Sequence, residues 1–269
     1  MPSFRSLTKI PLPGRLSVTP SSSLVDTKVA ISAAGLKANS PVTVRSVCAH
    51  ETRGGYVTFE GHAHYIADAR GVVSVREQTS IGGTYTGAEP MGLFWSMRPS
   101  HNQRLGTRFL VTDATKPVTV NLSLYRGHLD TETLQTAEPE ATTSAERWYM
   151  GKDVEKITVR NGRLRGSLFK PKGPGPFPGV IDMFGYVTGL VEFRSAMLAS
   201  RGLASYALPY CNYEDLPRTA WGLELEYFKE AVDWLSDQPF VRPGGVGMIA
   251  VSQGAQYALS TVSRFPEKV

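Results

Sequence analysis

Between about residues 15 and 128 apolar and polar residues alternate in short runs. Segments 27–31, 42–48, 56–59, 72–75, 108–111 and 118–125 favour β-branched or aromatic residues at period two, the mark of half-buried strands. Gly54-Gly55, Asp68 to Gly71 and Gly82-Gly83 supply turn signals between them. No helical stripe interrupts the series, so an antiparallel β-sandwich is expected over 15–130. Residues 131–150 are polar and rich in Thr and Glu, and read as a linker ending in the anchor Trp148-Tyr149.

After residue 150 the periodicity changes. Strand-like residues 157–160 and 163–169 flank Asn161-Gly162, which predicts a hairpin with a type I′ turn. A Pro/Gly loop over 172–178 leads to the apolar run 179–184, short enough for a buried strand. A helix is expected over 190–200, closed by Gly202, and a second buried strand over 203–208. Asp215 is the expected N-cap of the longest helix, with Pro217 in its first turn and the stripe Trp221, Leu225, Phe228, Val232 and Leu235 facing the core. A third buried strand over 246–251 precedes a helix from Gln253 to about Arg264. Hairpin, then β-α-β-α-β-α, is the order of an α/β domain spanning 151–269 with a parallel sheet.

Length fits this division: 269 residues suit two domains, and 41% hydrophobic with 20% charged residues is the composition of a folded globular chain. No run of about 18 apolar residues is present to span a membrane. Residues 1–145 hold 14 Lys+Arg against 11 Asp+Glu and residues 146–269 hold 15 against 13, so the net charge of +5 divides as +3 and +2. Spread this evenly, it forms no basic block, and no nucleic-acid partner is expected. Two cysteines, Cys48 and Cys211, are too few for a disulfide framework and point to a reducing compartment. The first residues carry Arg5, Lys9 and Arg15 with no acid before Asp26, but Pro2, Pro11 and Pro13 spoil an amphipathic helix. The expected location is cytoplasmic, with mitochondrial or peroxisomal as the alternative, although the final Glu-Lys-Val is no peroxisomal address.

The chemistry concentrates at the last strand-to-helix junction, Ala250-Val-Ser252-Gln253-Gly254. A serine flanked two residues on either side by small residues, on a strand–turn–helix, is a nucleophile elbow. The turn strains the serine backbone, so Ala250 and Gly254 must be small to avoid each other. Ala250 adds only one methyl to the usual glycine. The backbone N–H of Gln253 opens a helix, where an oxyanion would be stabilised. The second donor is expected from the loop at Phe184 and Gly185, after the strand that follows the hairpin. A serine nucleophile needs a base, usually a histidine held by a carboxylate, and in this fold the order is Ser, then Asp or Glu, then His. Seventeen residues follow Ser252; they include Glu267 but no histidine, and His50, His62, His64, His101 and His128 all precede it.

Other residues invite plainer readings. His62 and His64 put both rings on one strand face, but no third ligand sits at useful spacing, so they are expected on a sandwich surface, with no metal. Cys211 lacks a positive neighbour and reads as a buried structural thiol. Asp182, at the end of its strand, either orients the oxyanion loop or bonds within it. Capping explains Asp215 in the Glu214-Asp215 pair. The glycines from Gly185 to Gly189 lack dinucleotide spacing, and no cofactor is expected.

The chain resembles the acyl-CoA thioesterase and bile acid-CoA:amino acid N-acyltransferase family along nearly its whole length. The likeness rests on His62-Ala-His-Tyr-Ile-Ala-Asp-Ala-Arg-Gly71, Gly87-Ala-Glu-Pro-Met-Gly-Leu-Phe-Trp95, Gly175-Pro-Phe-Pro-Gly-Val-Ile-Asp-Met-Phe-Gly185, Asn212-Tyr-Glu-Asp-Leu-Pro217, Leu225-Glu-Tyr-Phe228 and the elbow. It implies an immunoglobulin-like domain followed by an α/β-hydrolase domain, with acyl-CoA as substrate and Ser252 as nucleophile. Members that conjugate acyl groups to glycine or taurine carry Cys at that position and the hydrolases Ser, so the resemblance tilts towards hydrolysis. N-acyl transfer, and a non-catalytic product that binds acyl-CoA or a protein partner, are the alternatives. The family's Asp and His would fall beyond Val269. The chain is therefore expected to be a fragment or a truncated product, with strand 246–251 left as an apolar edge.

Overall fold

The structure, a computed structural model, describes residues 14–52, 55–101, 103–104, 106–185 and 189–269. Gly54, the basic residues before Arg15 and the middle of the Gly185–Gly189 loop lie outside the described residues. Two compact units emerge: residues up to 110 together with Val118–Arg147, and Val111–Pro117 together with Trp148–Val269.

The first unit holds β1 (Arg15–Thr19), β2 (Ser22–Leu24), β3 (Ala30–Ala34), β4 (Pro41–Thr52), β5 (Gly55–Ile66), β6 (Val73–Ser74), the one-turn helix α1 (Gly92–Trp95), β7 (Arg98–Pro99), β8 (Val118–Arg126) and β9 (Ala141–Trp148). They form a three-stranded sheet, β1-β3-β6, and a six-stranded sheet, β2-β9-β8-β4-β5-β7. Inward residues of both sheets, among them Ile31 and Ala33 from one and Val44, Ala63, Leu122 and Leu124 from the other, close a single apolar core. The expected segment 27–31 divides between the turn after β2 and the start of β3, and 108–111 forms no strand.

The linker expectation is corrected. Residues 141–148 pair antiparallel with β8 from Val118↔Arg147 to Leu124↔Ala141. Their alternation is hidden because an inward position is charged: Arg147 is buried, where it donates to Ser23 Oγ at 2.5 Å and to the Val25 and Thr27 carbonyls at 2.8 and 2.6 Å. Its guanidinium also lies 5.2 Å from the Phe94 ring centre. A fully partnered arginine with a long aliphatic stem can occupy a position that a hydropathy pattern assigns to solvent.

The second unit runs β10 (Val154–Asn161), β11 (Leu164–Pro171), β12 (Gly179–Met183), α2 (Phe193–Ala199), β13 (Ala204–Ala207), α3 (Leu225–Ser236), β14 (Gly247–Ala250) and α4 (Gln253–Arg264). The sheet order is β10-β11-β13-β12-β14. The hairpin and the β11–β13 pair are antiparallel, and β12 runs parallel to β13 and β14. The core gathers Ile181, Met183, Tyr206, Phe228, Val232 and Leu235.

Three local expectations shift. Asn161 pairs with Leu164, so the hairpin loop is Gly162-Arg163, and only Gly162 has positive φ, which excludes a type I′ turn. Helix α3 begins at Leu225, not near Asp215, and Trp221 is 88% exposed, outside the core stripe. Asp215 caps nothing: Arg165 grips it through Nε and Nη2, each at 2.7 Å. Strand β14 pairs with β12 and closes the sheet order, with Val251, Leu259 and Val262 exposed beside it.

Candidate active site

The parallel strands end together. β12 delivers Asp182 and Met183 and then the loop residues Phe184 and Gly185, while β14 delivers Ala250, Val251 and Ser252. The two turns are stitched by Val251 N–H donating to the Met183 carbonyl at 3.2 Å.

Ser252 has φ 57° and ψ −128°, a backbone region that only glycine enters freely. Such a conformation costs roughly 1–3 kcal/mol and survives only where the surroundings impose it. Here the helix imposes it, since Gly254 N–H bonds the Val251 carbonyl at 3.1 Å and Ala255 N–H bonds the Ser252 carbonyl at 2.9 Å. The serine is exposed at the tip of the turn. Gln253 is the first residue of the twelve-residue helix α4, so its N–H has no acceptor one turn earlier.

Gly254 is required for a reason other than the expected one. A Cβ there would stand 2.5 Å from the Phe184 carbonyl oxygen and 3.3 Å from Met183 Cβ, so the close neighbour is the opposite loop and not Ala250. Gly185 keeps Ser252 uncovered, because a Cβ on it would lie 3.0 Å from Ser252 Cβ and 3.3 Å from its Oγ.

Asp182 is buried, and its part is to hold the loop. It accepts hydrogen bonds from Arg194 Nε at 2.8 Å and Nη2, and from Ser195 Oγ at 2.9 Å. Burial pushes its carboxyl above the usual range, with Arg194 and Ser195 pulling the other way. The same guanidinium donates to the Met183 carbonyl at 3.0 Å and lies 4.2 Å from the Phe184 ring centre. Tyr210 Oη completes the clamp by donating to the Phe184 carbonyl at 2.8 Å. Nothing local in the sequence marks Arg194 or Tyr210, since a cation twelve residues beyond an aspartate carries no local signal.

Ser252, Gln253, Ala250, Gly254, Phe184, Gly185 and Asp182 thus meet at one end of the sheet. Cys211 is buried in the core of this unit, and Cys48 is buried in the first unit with its thiol pushed up to about 11. All five histidines belong to the first unit, and no hydrogen bond joins Ser252 Oγ to a base among the described residues. His62 and His64 are not on the expected sandwich surface. His62 is buried, and His64 stacks on His128 at 4.8 Å with an interplanar angle of 9°. Among the described residues no group of three His, Cys, Asp or Glu is placed to hold a metal.

A sheet ordered hairpin, β13, β12, β14, with a strained serine between its last strand and a helix, is the arrangement of an α/β-hydrolase. The family described as "Acyl-CoA thioester hydrolase/BAAT N-terminal region" matches residues 26–161, and "BAAT / Acyl-CoA thioester hydrolase C terminal" matches residues 223–269. The chain belongs to this family. It is similar to human bile acid-CoA:amino acid N-acyltransferase, 45% identical over 247 residues that cover 91% of this chain and 58% of that protein. Rat acyl-coenzyme A thioesterase 2, mitochondrial, is 39% identical over 254 residues, covering 92% and 53%. The chain therefore spans a little over half the length of these curated relatives. Among solved structures, esterase Est22 aligns over 43% of this chain and 40% of its own, with a TM-score of 0.36 and 15% identity. No described helix is long and apolar enough to cross a membrane.

Proposed function

We propose that the protein hydrolyses acyl-CoA thioesters to a fatty acid and CoA through an acyl-enzyme on Ser252. The observation that carries this reading is the backbone of Ser252, strained at φ 57° and ψ −128° on a turn that leaves the residue exposed. Ser252 Oγ attacks the thioester carbonyl carbon. Its proton passes by way of a base to the departing CoA sulfur, and water then cleaves the serine ester. The N–H groups of Gln253 and of the Phe184–Gly185 loop receive the oxyanion, and Asp182 acts as a positioning residue through Arg194.

The reading takes the triad's Asp and His from the part of the relatives that this chain does not span. The reading also takes the first unit as an immunoglobulin-like sandwich, extended by β9 to Arg147, and takes the two free, buried cysteines as those of a cytoplasmic protein.

N-acyl transfer is the second reading, favoured by the 45% identity to an N-acyltransferase. Product analysis separates the two. In the longest form of the protein that contains these residues, free fatty acid is expected from acyl-CoA with or without glycine or taurine, and Ser252→Ala is expected to abolish it. Amide conjugates as the main product establish transfer. Undiminished turnover by Ser252→Ala overturns both readings.

A further inference from the structure

We infer that the side chain of Gln253, besides the backbone N–H used above, is a specificity determinant that accepts a hydrogen bond from an amide N–H in the thiol arm of the substrate. The inference rests on the acyl-CoA reading.

Gln253 Oε1 is shut off from water and has no hydrogen-bond partner, while its Nε2 reaches Tyr257 Oη at 3.5 Å, the outer limit of a hydrogen bond. A buried carbonyl oxygen left unpaired is destabilising and calls for an explanation. Gln253 borders a cavity of about 280 Å³ whose other walls are Ala220, Trp221, Gly222, Leu223 and Tyr257. Rotation about the last side-chain torsion, which is soft for an amide, turns Oε1 toward that space. The Tyr257 ring is fixed by stacking on Phe228 at 4.8 Å, so one wall of the cavity is rigid.

The walls carry no charged side chain, so the cavity suits a neutral, narrow occupant whose polar groups are donors. A larger cavity of about 490 Å³ shares Trp221, Gly222 and Leu223 and contains Arg163 and Arg165. Those cations are already paired, Arg165 with Asp215, and Arg163 with Glu230 at 2.9 Å and Glu224 at 3.5 Å, so this space offers an anion little. That leaves the neutral amide-bearing arm of a CoA thioester, beside the residue next to the nucleophile, as the occupant.

The test compares octanoyl-CoA with the ethyl thioester of octanoate, which has the same reacting group and no amide. Gln253→Met keeps the length of the side chain and removes the acceptor. The ratio of kcat/KM for octanoyl-CoA to that for the ethyl thioester is expected to fall about tenfold, the size of one buried hydrogen bond. Gln253→Glu, which restores an acceptor oxygen, is expected to recover part of the ratio. An unchanged ratio in Gln253→Met, whatever the absolute rates, overturns the inference. Labelling of Ser252 by a small phosphonate confirms that each variant is folded, and a variant that fails it is replaced by Gln253→Leu under the same criterion. Failure of the underlying reading is distinguishable, because Ser252→Ala would then turn over both substrates.

Discussion

Gly254 packs so closely on Phe184 that a single added methyl would meet the phenylalanine carbonyl oxygen at 2.5 Å. Backbone meets backbone there, so no side-chain rotation relieves the contact. Because Gly254 closes the elbow and Phe184 opens the loop opposite, this contact sets the spacing between the serine and its expected oxyanion donors. Gly254→Ala is expected to destabilise the second unit by about 1–3 kcal/mol through overpacking. Activity is expected to fall further than the loss of folded protein explains. Denaturant unfolding read beside kcat on the same preparation checks both.

The buried Asp182–Arg194 pair supports a second expectation. The aspartate side chain is wholly buried and the arginine 19% exposed, so removing the arginine leaves a carboxylate without compensation. Arg194→Met is expected to cost about 3–5 kcal/mol, and Asp182→Leu added to it to recover part of the loss. A double-mutant cycle by chemical denaturation measures the coupling. A coupling energy near zero would show that the clamp on Met183 and Phe184 is not held by this pair.

His62 makes the stability of the first unit depend on pH. Burial, then the neighbouring His64, depress the His62 pKa below 6.5, opposed by Glu60 and Asp130, with Arg45 adding to the depression. In the unfolded chain the ring gains its proton near 6.5, while in the folded unit it stays neutral to lower pH. The unfolded state therefore binds more protons below 6.5, and folding stability falls as pH drops through that window. Above it both states are neutral and the contribution is flat. His62→Gln is expected to reduce the slope of stability against pH between 6.5 and 5, measured by thermal unfolding of the first unit.

What could be read from the chain alone divides along physical lines. Strand β12 and the junction of β14 with α4 were legible because an apolar run and a Ser between small residues act within a few positions. Asp215 looks like a cap in the sequence because its partner, Arg165, lies 50 residues away and no local pattern announces it. Strand β9 reads as a linker in the sequence because Arg147 occupies an inward position, where three acceptors satisfy it. The spacing of small residues around Ser252 is local, but the reason Gly254 must be glycine lies in Phe184, in the loop after β12. The sequence points to the backbone N–H of Gln253; the unpartnered oxygen of its side chain emerges only when the walls around it are in place.

The most direct test of the central reading is to mix acyl-CoA with the longest form of the protein that contains these residues, quench in acid within milliseconds, and map the adduct by mass spectrometry. The expected result is the acyl group on the peptide bearing Ser252, formed as CoA is released and lost as fatty acid appears. An acyl group on Cys48 or Cys211, or release of CoA with Ser252 never modified, would contradict it.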